Sequence, residues 1–149
     1  MTRRGPVNAV VRPKKMNEGW NGNDYLILFD EAESELMTEG YGVRQFLPGL
    51  TVVGILGWDD FILRNEAGQL FRVPTVPLVQ RYVESLDEVP DGTGLTEDRK
   101  FTGKIKWYTQ PIVFGGDPSS EDNVIWVDIR KHQGLVKWWN RKYTDIAGK

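Results

Sequence analysis

The sequence predicts an α+β domain, a twisted antiparallel sheet of about five or six strands with helices packed on or around it. Two observations carry that prediction. Short apolar runs of strand length recur along the chain, each bounded by the Gly, Pro or Asn residues that interrupt strands and form turns. Between them lie stretches with helical spacing or a helix-start signature, near 31–39, 78–86 and 129–143.

The densest strand pattern is in residues 46–74. Leu50, Val52 and Val53 form an apolar run that stops at Gly54, and residues 61–63 and 70–73 form two more. Three strands in such close succession read as an antiparallel meander. Residues 65–68 end on Gly68, which accepts the positive φ that a short hairpin connection favours. Pro74 then ends the ladder, because it has no amide hydrogen to donate. Upstream, residues 25–29 form a strand-length run behind the turn-forming 21–24, and downstream residues 112–114 and 124–127 read as two further strands.

The helices have their own markers. Asp30 followed by Glu33 has the spacing of a capping box, and Leu36 and Met37 begin an apolar stripe. Leu78, Tyr82 and Leu86 fall at i, i+4 and i+8, with Val79 and Val83 beside them. Asp128 can cap a terminal helix whose apolar face is built from His132, Leu135, Val136, Trp139 and Tyr143. Trp138 and Trp139 sit about 100° apart around that helix, so one can be buried while the other lies nearer the surface.

Composition sets further bounds. A chain of 149 residues, 40% hydrophobic, suits one domain with its own core, read here as 17–149 behind a flexible basic arm, 1–16. There is no cysteine, so the fold stands on packing without disulfides or thiolate metal sites. Neither an 18-residue apolar run nor a signal-peptide core follows the basic start, which gives the expectation of a cytoplasmic protein with no membrane span. The net charge of -2 hides an asymmetry: Arg3, Arg4, Arg12, Lys14 and Lys15 are all in the first 15 residues. The remainder carries 14 basic against 21 acidic residues. An acidic body repels nucleic acid and attracts basic partners at long range; it also keeps a protein soluble. The basic arm has an alternative reading as a phosphate-binding tail.

Several chemistries lack their parts. With one histidine, His132, and no cysteine, neither a Cys/His nucleophilic pair nor a multi-histidine metal site can be assembled. Serines stand only at 34, 85, 119 and 120, outside any Gly-x-Ser-x-Gly elbow. Asp59 and Asp60 are the best candidate carboxylate pair, but neighbours on a strand point to opposite faces and do not converge. Gly92 and Gly94 lack the third glycine and the Gly-Lys-Ser/Thr ending of a phosphate loop. Residues 115–123 carry Asp117, Glu121 and Asp122, yet Pro118 and two serines break the alternation of a calcium loop. No cofactor or metal is expected. Residues 87–103 read as an exposed loop.

One stretch is specific enough to suggest a family. Leu47-Pro48-Gly49 leads into an apolar strand; a Gly-containing acidic turn, an aromatic strand, a Gly turn and Phe71-Arg72-Val73-Pro74 follow. In order and spacing this resembles the SUKH superfamily of bacterial immunity proteins and a fungal cell-wall-synthesis regulator, over about residues 17–86. The chain departs from the family where small residues usually close on an acid: here the turn is Ile55-Leu56-Gly57-Trp58-Asp59-Asp60. The resemblance implies a twisted sheet with helices and a function without catalysis, as an antitoxin that occludes a toxin made by the same cell, often a nuclease in such systems. The expected interface is acidic, with Asp59, Asp60, Asp117, Glu121 and Asp122 facing the toxin's basic surface and Trp58 as apolar anchor; direct nucleic-acid or membrane binding is not expected. A regulatory scaffold domain without a toxin partner, and a small-ligand-binding protein or enzyme, stay open as alternatives.

Overall fold

The meander forms as its punctuation dictates, and the chain on either side adds to it. A computed structural model describes residues 16–90 and 92–147. They form a single α+β domain in which strands β1 (Asn17–Asn21), β2 (Asp24–Leu28), β3 (Thr51–Leu56), β4 (Asp60–Arg64), β5 (Leu70–Pro74) and β6 (Glu84–Leu86) make one antiparallel sheet in sequence order. Strands β7 (Ile105–Tyr108) and β8 (Val124–Val127) pair in a second, two-stranded sheet. The basic arm read over residues 1–16 lies outside the described residues except for Met16, which packs on the core.

The turns follow their residue chemistry. Gly68 has a φ of 86° and donates its N–H to the Asn65 carbonyl, while the Asn65 side chain accepts from the Gln69 N–H at 2.9 Å. Gly54 is required for a different reason. A Cβ there would lie 2.7 Å from the Ile27 carbonyl oxygen, so β2 and β3 could not close up.

Helix α1 (Glu31–Tyr41) starts at the expected capping box, with Asp30 accepting from the Glu33 N–H and Glu33 accepting from the Asp30 N–H, both at 2.8 Å. A single helical turn, α2 (Val43–Phe46), follows. Helix α3 (Ile129–Ala147) has Asp128 accepting from the Lys131 N–H at 2.8 Å and runs four residues beyond its predicted end. Met37 and Tyr41 of α1 and Val136 of α3 join Tyr25, Ile55, Phe61 and Val73 of the large sheet and Trp107 of the small one in one buried core. Trp138 is exposed and Trp139 is packed on Phe114, 4.8 Å between ring centres, as their angular separation implies.

Two predicted elements differ. Residues 78–86 are not a helix; they run from extended backbone at Val79 through a short 3-10 turn, Gln80–Tyr82, into β6. Only Leu78 of the supposed apolar face is buried, and the free edge of β5 captures residues 84–86 instead. Likewise 112–114 is a 3-10 turn rather than a strand, because it has no strand beside it and the chain turns back on itself, the Phe114 N–H donating to the Pro111 carbonyl at 2.9 Å. The small sheet takes its second strand from β7. The predicted loop over 87–103 contains no strand of its own, but Thr96 makes an isolated bridge to Trp20 that covers the outer edge of β1.

Candidate functional site

The β3–β4 turn begins the site. Gly57 and Trp58 both have left-handed backbone, with φ of 59° and 63°. For tryptophan that conformation costs about 1 kcal/mol, so packing must hold it. It does. The Trp58 ring stacks on Tyr25 at 4.8 Å and meets Trp126 edge-on at 5.1 Å, within a cluster completed by Trp20 and Phe101. These five rings join β1, β2 and the turn to β8, which ties the two sheets together. The tryptophan expected as a protruding anchor is therefore built into the wall of the site, with its indole nitrogen buried.

Beside the turn is a mostly apolar groove of about 380 Å³. Residues 74–77 and Tyr82 line one part, and residues 111–113 another, between which β7 contributes Lys106, Trp107 and Tyr108. Trp58, Asp59 and Asp60 complete it. The two misread segments, 78–86 and 112–114, thus supply parts of its lining. Ile112 is half exposed, and Val113 and Tyr82 are exposed to a lesser degree, so the lining presents apolar surface directly to water.

Several bonds fix this shape. Asn140 of α3 accepts from the Leu78 N–H at 2.7 Å and donates to the Thr75 carbonyl at 2.8 Å, holding the 74–77 segment to the helix. The Arg81 guanidinium donates to the Tyr143 hydroxyl at 2.6 Å. On the other side, Gln110 and Asn123 bracket the long loop: the Gln110 N–H donates to the Asn123 side chain at 2.8 Å, and that side chain donates back to the Gln110 carbonyl at 3.0 Å.

One polar group sits on the apolar lining. Lys106 donates to the Asp59 carboxylate at 3.2 Å and to the Tyr108 hydroxyl at 3.0 Å, with its ammonium 4.7 Å from the Tyr108 ring centre. Burial raises the Asp59 carboxyl above the usual carboxylate range, and the Lys106 ammonium opposes that shift only in part. The carboxylate nonetheless keeps 45% of its side-chain surface open to solvent. Burial pulls Lys106 down, but the Tyr108 hydroxyl and the Asp59 carboxylate together hold it above its ordinary value.

The other sequence-predicted residues fall in different places. Asp60 turns to Arg72 across the β4–β5 pair and is bonded to both its Nε and its terminal nitrogen, so the adjacent carboxylates have separate cations and no common focus. Asp117, Glu121 and Asp122 lie on the exposed loop outside the groove lining. Asp117 accepts from the Ser119 N–H and hydroxyl, which lower its carboxyl below the usual range. Glu121 and Asp122 occupy a 3-10 turn before β8. The structure gathers Trp58, Asp59 and Asp60 at the groove and leaves the other three acids on the loop that continues from its rim. Sequence reasoning missed Lys106, Tyr108, Tyr82 and the exposed use of residues 112–113. The alternation Ile105-Lys106-Trp107-Tyr108, buried residues at odd positions, was the available signal for β7.

His132 is wholly buried. Its Nδ1 shares a hydrogen bond of 2.7 Å with the Tyr41 hydroxyl, and it has no path to a dissolved substrate. Among the described residues no three of His, Cys, Asp or Glu gather to hold a metal ion, and no helix is long and apolar enough to cross a membrane. The chain matches no protein-family model, no curated protein and no solved structure.

Proposed function

We propose that this protein works by binding another protein through the groove and its rim, as an immunity protein that covers the working surface of a toxin. The observation that carries this reading is the exposed apolar lining at Ile112, Val113 and Tyr82 beside a solvent-accessible carboxylate, Asp59. Apolar surface held open by internal bonds, rather than closed over, is the character of an interface core. Asp59 and Asp60 at the groove and Asp117, Glu121 and Asp122 on the loop beyond it suit a basic partner surface, with charge setting register and encounter rate. The resemblance to SUKH proteins over residues 17–86 supplies the class of partner. Lys106 limits the acidity of the groove itself, so in this reading apolar contact, not carboxylate number, provides most of the affinity.

The test is co-expression with the toxin domain encoded beside this chain. Wild type should rescue growth. Ile112→Glu should abolish rescue while leaving the melting temperature within a few degrees of wild type, because Ile112 is half exposed. Rescue that persists in Ile112→Glu would remove the groove from the interface. A second reading, small-ligand binding, draws on the groove volume, which lies in the range of about 300 to 1,000 Å³ occupied by such sites. A stabilising ligand from a thermal-shift screen that depends on Lys106 and Tyr108 would favour it.

A further inference from the structure

Away from the groove, α1 and α3 lie against each other and carry opposite charge. Gln133 of α3 approaches the Met37 sulfur at 3.3 Å, and a Cβ at Gly40 would meet the Gln133 side chain at 2.5 Å, so the two helices form one continuous surface. Helix α1 contains Glu31, Glu33, Glu35 and Glu39 and no basic residue. Helix α3 contains Arg130, Lys131, Lys137, Arg141 and Lys142 against the single acid Asp145. Among the described residues this basic helix is exceptional, since residues 16–128 hold 20 acidic and 8 basic residues.

Each helix also exposes large apolar side chains among its charges. Leu36 is 66% exposed on α1, and Trp138 and, near the end of the helix, Ile146 are each 54% exposed on α3. At about 100° per residue, Glu39 lies about 60° from Leu36, and Arg141 lies about 60° from Trp138, so Leu36 and Trp138 are each flanked by charge of their helix's own sign.

We infer that the α1–α3 face is a self-association surface, on which a second copy of this chain docks about a two-fold axis. A surface that is acidic on one half and basic on the other is complementary to itself: a half-turn between the two helices lays α1 on the partner's α3, and α3 on the partner's α1. The same rotation brings Leu36 and Trp138 into the contact as its apolar centre, the role tryptophan commonly has at interfaces. Charge decides against a polyanion as the occupant. A nucleic-acid strand drawn to α3 would have to run beside the four glutamates of α1 and an acidic body, which repel it.

The test is sedimentation velocity on the full chain over a concentration series, at about 0.1 M and about 1 M salt, where the screening length falls from about 10 Å to about 3 Å. Wild type should form a dimer that weakens in high salt, and Trp138→Glu should weaken it at least tenfold at low salt. Two charge variants make the test specific. Glu35→Lys with Glu39→Lys cancels the net charge of α1, and Arg130→Glu with Arg141→Glu cancels that of α3. Each variant alone should be monomeric, and an equimolar mixture should recover the dimer, with circular dichroism verifying that both are folded. A wild type that stays monomeric at every concentration, variants that dimerise alone, or a mixture that does not associate would each overturn the inference. So would a low-salt monomer that binds a single-stranded oligonucleotide through Trp138, which would assign the face to nucleic acid.

Discussion

At the scale of single residues, His132 records what the core demands. It is enclosed by Tyr41 and Trp107, whose ring centres lie 5.3 and 5.5 Å away, and burial pushes its pKa from 6.5 down to about 3. The folded protein thus keeps the imidazole neutral where the unfolded chain protonates it. A group whose folded pKa is depressed contributes its full stability above its unfolded pKa and loses it as pH falls toward the folded one. For His132 that window runs from about pH 6.5 to about pH 3, with a change of roughly 4 to 5 kcal/mol. His132→Gln keeps a polar partner for Tyr41 but does not titrate. Urea unfolding at about pH 7 and about pH 4 should show a smaller loss of stability in this variant than in wild type; equal losses would mean that His132 charges without unfolding.

At the scale of elements, the groove depends on bonds that cross between secondary structures. Asn140 is buried in α3, and its amide serves the Leu78 N–H and the Thr75 carbonyl, neither of which has a strand neighbour there. Asn140→Leu preserves the volume and strands both backbone groups. It should cost about 2 to 4 kcal/mol in urea unfolding, because buried polar groups left without partners bear their full desolvation penalty. Hydrogen exchange at the Leu78 amide should quicken more than at the Val52 amide, which donates to the Thr38 hydroxyl at 2.8 Å and is untouched by the change. Uniform acceleration across both sites would indicate global destabilisation rather than release of the groove segment. Thr38 does for β3 what Asn140 does for residues 75–78: a helix side chain satisfies a backbone group that the sheet leaves open.

At the scale of the whole molecule, charge is distributed by element. The 20 acids of residues 16–128 and the basic α3 give the chain a pronounced polarity that its net charge of -2 conceals. If the groove meets a basic toxin, long-range attraction sets the encounter rate, and that attraction is screened by salt. Stopped-flow association with the toxin domain should slow by about tenfold or more between about 0.02 M and about 0.5 M salt, while the dissociation rate changes little. A salt-independent association rate would confine the acids to solubility.

The sequence by itself determined the fold class, the β3–β5 meander, the capped start of α1, and α3 with its cap and its paired tryptophans. Each of these is written in local chemistry: a period, a cap, or a residue that bars the ladder. Trp58, Asp59 and Asp60 could also be singled out, because a bulky residue and two acids in a Gly-containing turn stand out without any neighbour. The groove could not be read this way. Residues 78–86 carry helical spacing, yet the open edge of β5 offers hydrogen bonds to residues 84–86, and Leu78 alone finds a buried place. Residues 112–114 are as apolar as a strand, but they have no strand to pair with and remain partly exposed. Lys106 and Tyr108 join Asp59 across 47 and 49 residues of chain. Only the tertiary structure decided these, because a strand edge, a missing partner and a contact between distant residues belong to the folded surroundings and leave no mark at their own positions.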